Sequence, residues 1–402
     1  MSRGALWNRL LTGELGPTVL ADVGTSTLTG VRAPGAPKLA SALGRVGHPV
    51  LRTLPLTGRH CLGLGSDFVR AGFLFKAPEL EHDEFVDELG VRWLWADGAP
   101  TPLAHPLAEA DMWAVARHPR PTWPDEVQHP AASPVGEDRP LVVADAPCAG
   151  LLDTCFALRG HWQFLLDITD DWRIANALLD WALETVLSAY EHLLAEFVEP
   201  PDLLLYGDDL GYQSGMFLSD ADFRTFVRPR LKTLLSRIRA LTPAPICMHS
   251  CGAIRTILPD LADLGVEALN VSYDARGMTL AEVRTRLPST MILHGYVDVR
   301  ALGQALIDGD RRAIAVLATE LAQSLPAIAA PVDSLSDLNE LMAAARAVAF
   351  THALGPDEIE QLRRYGPVRG VLERAYEQAA DTALRVPAAH TGGAPARIGA
   401  GL

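Results

Sequence analysis

Short apolar runs alternating with longer stretches of helical periodicity recur along this 402-residue chain. That alternation is the mark of strand–helix units wound into a parallel sheet. Strands are predicted at Val19–Val23, Leu141–Ala144, Leu203–Tyr206, Pro245–Met248, Ala268–Val271, Met291–Leu293 and Ala327–Ala330. An eighth is expected in the stretch Leu62–Leu94, whose pattern fits strand or loop. Helices are predicted at Gln163–Phe197, Asp220–Ala240, Ile254–Leu264, Leu280–Leu287, Val299–Leu325 and Ser336–Phe350. Eight strands and eight helices would close a barrel, so the expected fold is α/β, a (β/α)8 TIM-type barrel of about 250 residues plus insertions.

A single barrel domain is expected over residues 1–380. Within it Ala96–Arg139, with prolines from Pro100 to Pro134, reads as a long excursion over the barrel mouth or rim rather than a packed element. Residues 383–402 are rich in Gly, Ala and Pro and read as a disordered tail.

The net charge is -14, from 35 basic and 49 acidic residues. No Lys/Arg cluster is interleaved with aromatics, which argues against nucleic acid as a partner. Five cysteines at positions 61, 148, 155, 247 and 251 do not look like a disulfide framework and fit reduced thiols in a cytoplasm. The N-terminal apolar stretch is short and carries an Arg, and no apolar run reaches about 18 residues. Neither an export signal nor a membrane span is expected.

In such barrels the active site is built where strands end. The predicted strand ends carry Asp145, Pro147 and Cys148; Gly207, Asp208 and Asp209; His249 and Cys251; Ser272, Tyr273 and Asp274; His294, Tyr296 and Asp298; and Asp333. Successive strand residues alternate faces, so His249 and Cys251 present an imidazole and a thiol side by side. Both are zinc ligands, and catalytic zinc uses three protein ligands with one position open. Alone, such a pair reads as readily as a buried Cys beside a satisfied core His. Asp208 and Asp209 equally suit a turn or a cap, as do Asp298 and Asp333, and Cys148 suits simple burial.

The stretch from Leu203 through Ala240, the HSCG segment at His249–Gly252, and the stretch Asp263–Asp298 resemble the uroporphyrinogen decarboxylase superfamily. They are most similar to its zinc-dependent, corrinoid-associated methyltransferase branch. The segments LGLGSDFVRAGF, DEFVDELGVRW and LRGHWQFLLDITDD extend the likeness over about residues 60–350. The superfamily fold is a TIM-type barrel, in agreement with the strand count.

In that branch a His-x-Cys pair and a further Cys after the last strand hold zinc, which binds an acceptor thiol as thiolate. The resemblance therefore assigns His249 and Cys251 to metal and places the last-strand position at Asp333, which is not a Cys. A carboxylate there makes the metal harder and keeps the ligand count; Asp208, Asp209 or Cys148 are alternative third ligands. The resemblance implies an enzyme that transfers a methyl or alkyl group to or from a corrinoid or a small donor, with a small-molecule thiol and a corrinoid protein as candidate partners. Asp208 or Asp209 would orient substrate or handle a proton, and His294 or Tyr296 would hydrogen-bond it.

True uroporphyrinogen decarboxylase grips a polycarboxylate with an arginine-bearing N-terminal motif. The stretch Thr18–Pro37 lacks that motif and offers Arg32 alone, so haem biosynthesis is disfavoured. A metal-free decarboxylase on a smaller acid, a metal-dependent lyase on an ether or thioether, and a non-catalytic binding barrel stay open.

Overall fold

The computed structural model describes residues 2–298, apart from 13–19, 23–24, 27–30, 33–44, 49, 51–52, 55–57, 64–65, 97–98, 131–138, 147–148 and 273–274, together with 347–350. Eight strands form the parallel part of one sheet: β1 Ala21–Asp22, β2 Phe68–Phe73, β3 Leu141–Asp145, β4 Leu203–Gly207, β5 Ile246–Ser250, β6 Ala268–Val271, β7 Ile292–Asp298 and β8 Ala347–Phe350. From β2 to β8 sequence neighbours lie side by side, and β1 pairs with β8. This is the order that repeated strand–helix–strand crossovers produce. A ninth strand, Val127–Gln128, lies antiparallel on β2, and among the described residues no β1–β2 pair closes the ring.

The helices named here are α1 Arg3–Thr12, α2 Leu151–Arg159, α3 His161–Asp170, α4 Trp172–Ala195, α5 Arg228–Leu241, α6 Leu258–Asp263 and α7 Leu280–Arg284. The helix expected over Gln163–Phe197 is two, broken at Asp171, whose φ of -142° and ψ of 66° leave the helical region. Helical periodicity continues across the break, which hides it from pattern reading. In α5 the buried residues Leu231, Leu234, Leu235 and Ile238 follow the spacing of one helix face, which packs on α4.

Strand alternation divides the interior into two cores. Leu204 and Tyr206 of β4 join Ile246 and Met248 of β5 in the large core shared with the helices. Leu203 and Leu205 point the other way, into a second core with Phe68, Val143, Cys247, Ala268 and Ile292. Helix α1 packs Leu6, Trp7 and Leu10 onto this second core, and Trp7 Nε1 donates to the Asp202 carbonyl at 2.9 Å.

Two expectations need correction. Ala347–Phe350, expected at the end of a helix, is strand β8; four apolar residues in a row fit either state by pattern. The strand expected at Ala327–Ala330 and the tail 383–402 lie outside the described residues. The Pro-rich segment 96–139 is not an unpacked excursion. It holds the strand Ala99–Ala104, a helix Met112–Arg117 capped by Asp111, and Val127–Gln128, and it buries Leu107, Val115 and Trp123. Pro100 and Pro102 fall on an edge strand, where the missing N–H disrupts no sheet interior.

Candidate metal centre and its cavity

On the face that carries Leu205, Cys247, Ala268 and Ile292, the next residue along each strand is Gly207, His249, Asn270 and His294. Register aligns Gly207 with His249, His249 with Asn270, and Asn270 with His294. A polar row therefore lies directly above an apolar layer. Beyond it the chain leaves β5 through Cys251 and Gly252. Gly252 has φ of +92°, and a side-chain carbon there would collide with the backbone of Gly211 in the loop after β4.

This close approach brings three donors together. His249 Nε2 lies 3.3 Å from Cys251 Sγ and 3.4 Å from Asp209 Oδ1. One donor atom from each of Asp209, His249 and Cys251 falls within 4.8 Å of the others, and each residue is partly exposed. Tetrahedral zinc with bonds of about 2.0 Å to N or O and about 2.3 Å to S places its ligand atoms roughly 3.3–3.8 Å apart. The donors fit that ion without rearrangement of the two measured pairs. Burial works against a charged His249, but its hydrogen bonds to Asp209 and Cys251 prevail and push the imidazole up to about 10. Burial likewise opposes the Asp209 charge, and the His249 hydrogen bond outweighs it, holding the carboxyl below its usual range.

Asp208 is placed differently from the expected catalyst. It is fully buried, accepts the N–H groups of Leu152 at 2.9 Å and Asp153 at 3.1 Å at the start of α2, and accepts the Tyr206 hydroxyl at 3.1 Å. It caps a helix from the cavity wall, the role that short acidic side chains commonly fill. Burial pushes its carboxyl up to about 7 against these hydrogen bonds. Burial and the charges of Asp209 and Asp208 also raise Asp153, whose Oδ2 accepts the Asp209 N–H at 3.0 Å.

His294 does not line the cavity. It is 2% exposed, with Nδ1 2.8 Å from Asn270 Nδ2 and Nε2 2.9 Å from Asp22 Oδ2. Tyr296 belongs to β7, with its side chain outside the described residues, as are Cys148 and Asp333 entirely. Sequence reasoning missed Asn270 and Asp153. A polar residue inside the otherwise apolar run Ala268–Val271 was the one signal for Asn270.

The donors open into a cavity of about 460 Å³. Trp93, Phe156 and His161 supply aromatic wall, with the Phe156 and His161 rings stacked at 4.1 Å. Asp87, Glu88 and Asp145 add to the acids, and no Lys or Arg is among the described lining residues. Asp145 is backed by the buried Arg70 at 3.4 Å.

The fold is thus α/β with a mostly parallel sheet and a three-donor site at the ends of its strands. Residues 158–331 match the family model described as Uroporphyrinogen decarboxylase (URO-D). A solved methyltransferase from Methanosarcina mazei aligns with TM-score 0.54 and 17% identity, over 96% of this chain and 98% of that one. The YdjI aldolase from Escherichia coli K12 aligns at TM-score 0.22 and 13% identity, over 58% of this chain and 82% of that one, too weak a likeness to bear on the fold. No curated protein matches the chain. Among the described residues no helix is long and apolar enough to cross a membrane.

Proposed function

We propose that this chain is a zinc-dependent methyl or alkyl transferase built on a closed (β/α)8 barrel, with β1 pairing β2, and that it activates a thiol or another soft nucleophile. The observation that supports this most is the separation of the donors Asp209, His249 and Cys251, which suits a tetrahedral ion. Asp209 replaces Asp333 as the third ligand in this reading. When bound, zinc would lower the pKa of a coordinated thiol so that the anion exists at neutral pH.

The chain's own residues orient the reactants. Trp93, Phe156 and His161 hold the apolar part of the substrate, while Asp153 and Asp208 border the reacting end. The thiolate sulfur takes the alkyl carbon, the donor keeps the bonding electron pair, and the thiol proton is released. A corrinoid, carried by its own protein, is the proposed donor or acceptor. An acid-lined wall suits a neutral or cationic substrate better than a polycarboxylate porphyrinogen. The odd number of cysteines, five, supports a reducing, cytoplasmic setting.

The test is the zinc content of protein purified without chelator, beside His249→Ala, Cys251→Ser and Asp209→Ala, with alkyl transfer from methylcobalamin to a small thiol followed in parallel. Stoichiometric zinc in the wild type and its loss in the variants is expected. Equal zinc in all four, or none in any, overturns the metal site. The raised carboxyls of Asp153 and Asp208 favour one second reading, a metal-free decarboxylase or lyase in which one of them donates a proton. Turnover of a small acid by zinc-free protein would select it.

A further inference from the structure

We propose that Asn270, oriented by His294 and Asp22, is a positioning residue that keeps the proton of His249 on Nδ1 and so reserves the Nε2 lone pair for the metal. The inference rests on the metal reading above and adds the device that makes His249 a ligand of one defined tautomer.

The polarity can be followed from one end. Asp22 is buried, and its carboxylate, when charged, only accepts. Its Oδ2 is 2.9 Å from His294 Nε2, so that nitrogen carries a proton. On a singly protonated ring the other nitrogen, Nδ1, is then an acceptor, and 2.8 Å away it meets the amide nitrogen of Asn270. The remaining end of that amide is Oδ1, an acceptor only, 2.7 Å from His249 Nδ1. His249 Nδ1 must therefore be the donor, and Nε2 is the nitrogen left facing Cys251 and Asp209.

Turning the amide of Asn270 around would set its oxygen against the His294 lone pair and its NH2 against a protonated His249 Nδ1. The first contact, which follows from Asp22 alone, would be repulsive in a site where Asn270, His294 and Asp22 are each no more than 2% exposed. The three strand residues His249, Asn270 and His294 are direct register partners, so the backbone itself holds the row in line. Outer hydrogen bonds of this kind fix the orientation of ligating histidines and alter metal affinity about 10–100-fold when removed.

The experiment is zinc affinity by chelator competition for wild type, Asn270→Leu and Asn270→Asp, with thermal unfolding of each metal-free protein as the folding control. Asn270→Leu should bind zinc about 10–100-fold more weakly. Asn270→Asp should bind zinc more tightly than Asn270→Leu but more weakly than wild type, because one carboxylate oxygen still accepts the His249 Nδ1 proton while the other meets the His294 Nδ1 lone pair. In zinc-loaded wild type carrying labelled histidine, nitrogen NMR should show His249 protonated at Nδ1 and metal-bound at Nε2; coordination through Nδ1 overturns the inference without any variant. Wild type that retains no zinc defeats the metal reading instead. Zinc held equally by wild type and folded Asn270→Leu defeats this inference alone.

Discussion

Asp209 and Cys251 lie on loops after neighbouring strands, and Asp209 Oδ1 accepts the Cys251 backbone N–H at 2.8 Å. One carboxylate therefore both stands among the candidate metal donors and ties down the loop that carries another. The two roles separate by substitution. Asp209→Asn retains an acceptor for the loop and should keep the metal-free melting temperature close to wild type. Asp209→Ala should lower it. Both should weaken zinc binding by more than the about 10–100-fold typical of a lost outer partner. Chelator competition and thermal unfolding of the two variants check this, and wild-type affinity in Asp209→Asn would contradict it.

Glu88 supplies a pH dependence distant in sequence from the metal donors. Burial, helped by the charge of Asp87, pushes its carboxyl up to about 8 from its ordinary value of 4.5. The folded protein thus holds this proton more tightly than the unfolded chain. The Glu88 contribution to stability is present in full below about pH 4.5 and is lost as pH rises through about 8. Glu88→Gln should remove that slope, so the melting temperature of wild type should fall relative to the variant between those limits. Parallel curves would show that Glu88 does not titrate in this range.

Gly252→Ala tests the turn that brings the two loops together. The substitution meets both a positive φ and the Gly211 backbone. Strain in a sparsely populated backbone region alone costs about 1–3 kcal/mol, and the steric clash adds to it. The variant should lose zinc together with stability, whereas Gly265→Ala, where φ is +79° but the space is open, should lose stability alone.

Arg159 fastens the Pro-rich segment to the helices. It is buried, donates to the carbonyls of Leu107 at 2.7 Å and Ala110 at 2.9 Å, and pairs with Asp167 at 2.7 Å. Breaking a buried ion pair by removing one partner costs about 3–5 kcal/mol. Arg159→Ala should show a loss of that order in denaturant unfolding. It should also raise proteolytic cleavage between residues 96 and 118.

The parts legible in the sequence were those written in periodicity. Runs such as Leu203–Tyr206 and Ile246–Met248 are apolar on both faces, and they form strands where expected. His249 and Cys251 were visible because a spacing of two on a strand forces a shared side. Asp208 and Asp209 are adjacent and chemically identical, so only the fold could separate a buried helix cap from a partly exposed donor. Asn270 gave one weak signal, a polar residue inside a short apolar run, and an Asn so near a strand end equally suits the turn that follows. The Pro-rich segment misled because its prolines mark an edge strand and its ends, while its packing depends on Arg159, far along the chain.

The register of β5, β6 and β7 also has a genetic consequence. Because neighbouring side chains on a strand face opposite ways, deleting or inserting a single codon between Ala268 and Asn270 would turn the amide of Asn270 toward the helices and bring an apolar neighbour into its place. Lineages of this protein should tolerate length variation in surface loops while keeping these three short segments at constant length. An alignment of natural variants would then show gaps everywhere except across the polar row.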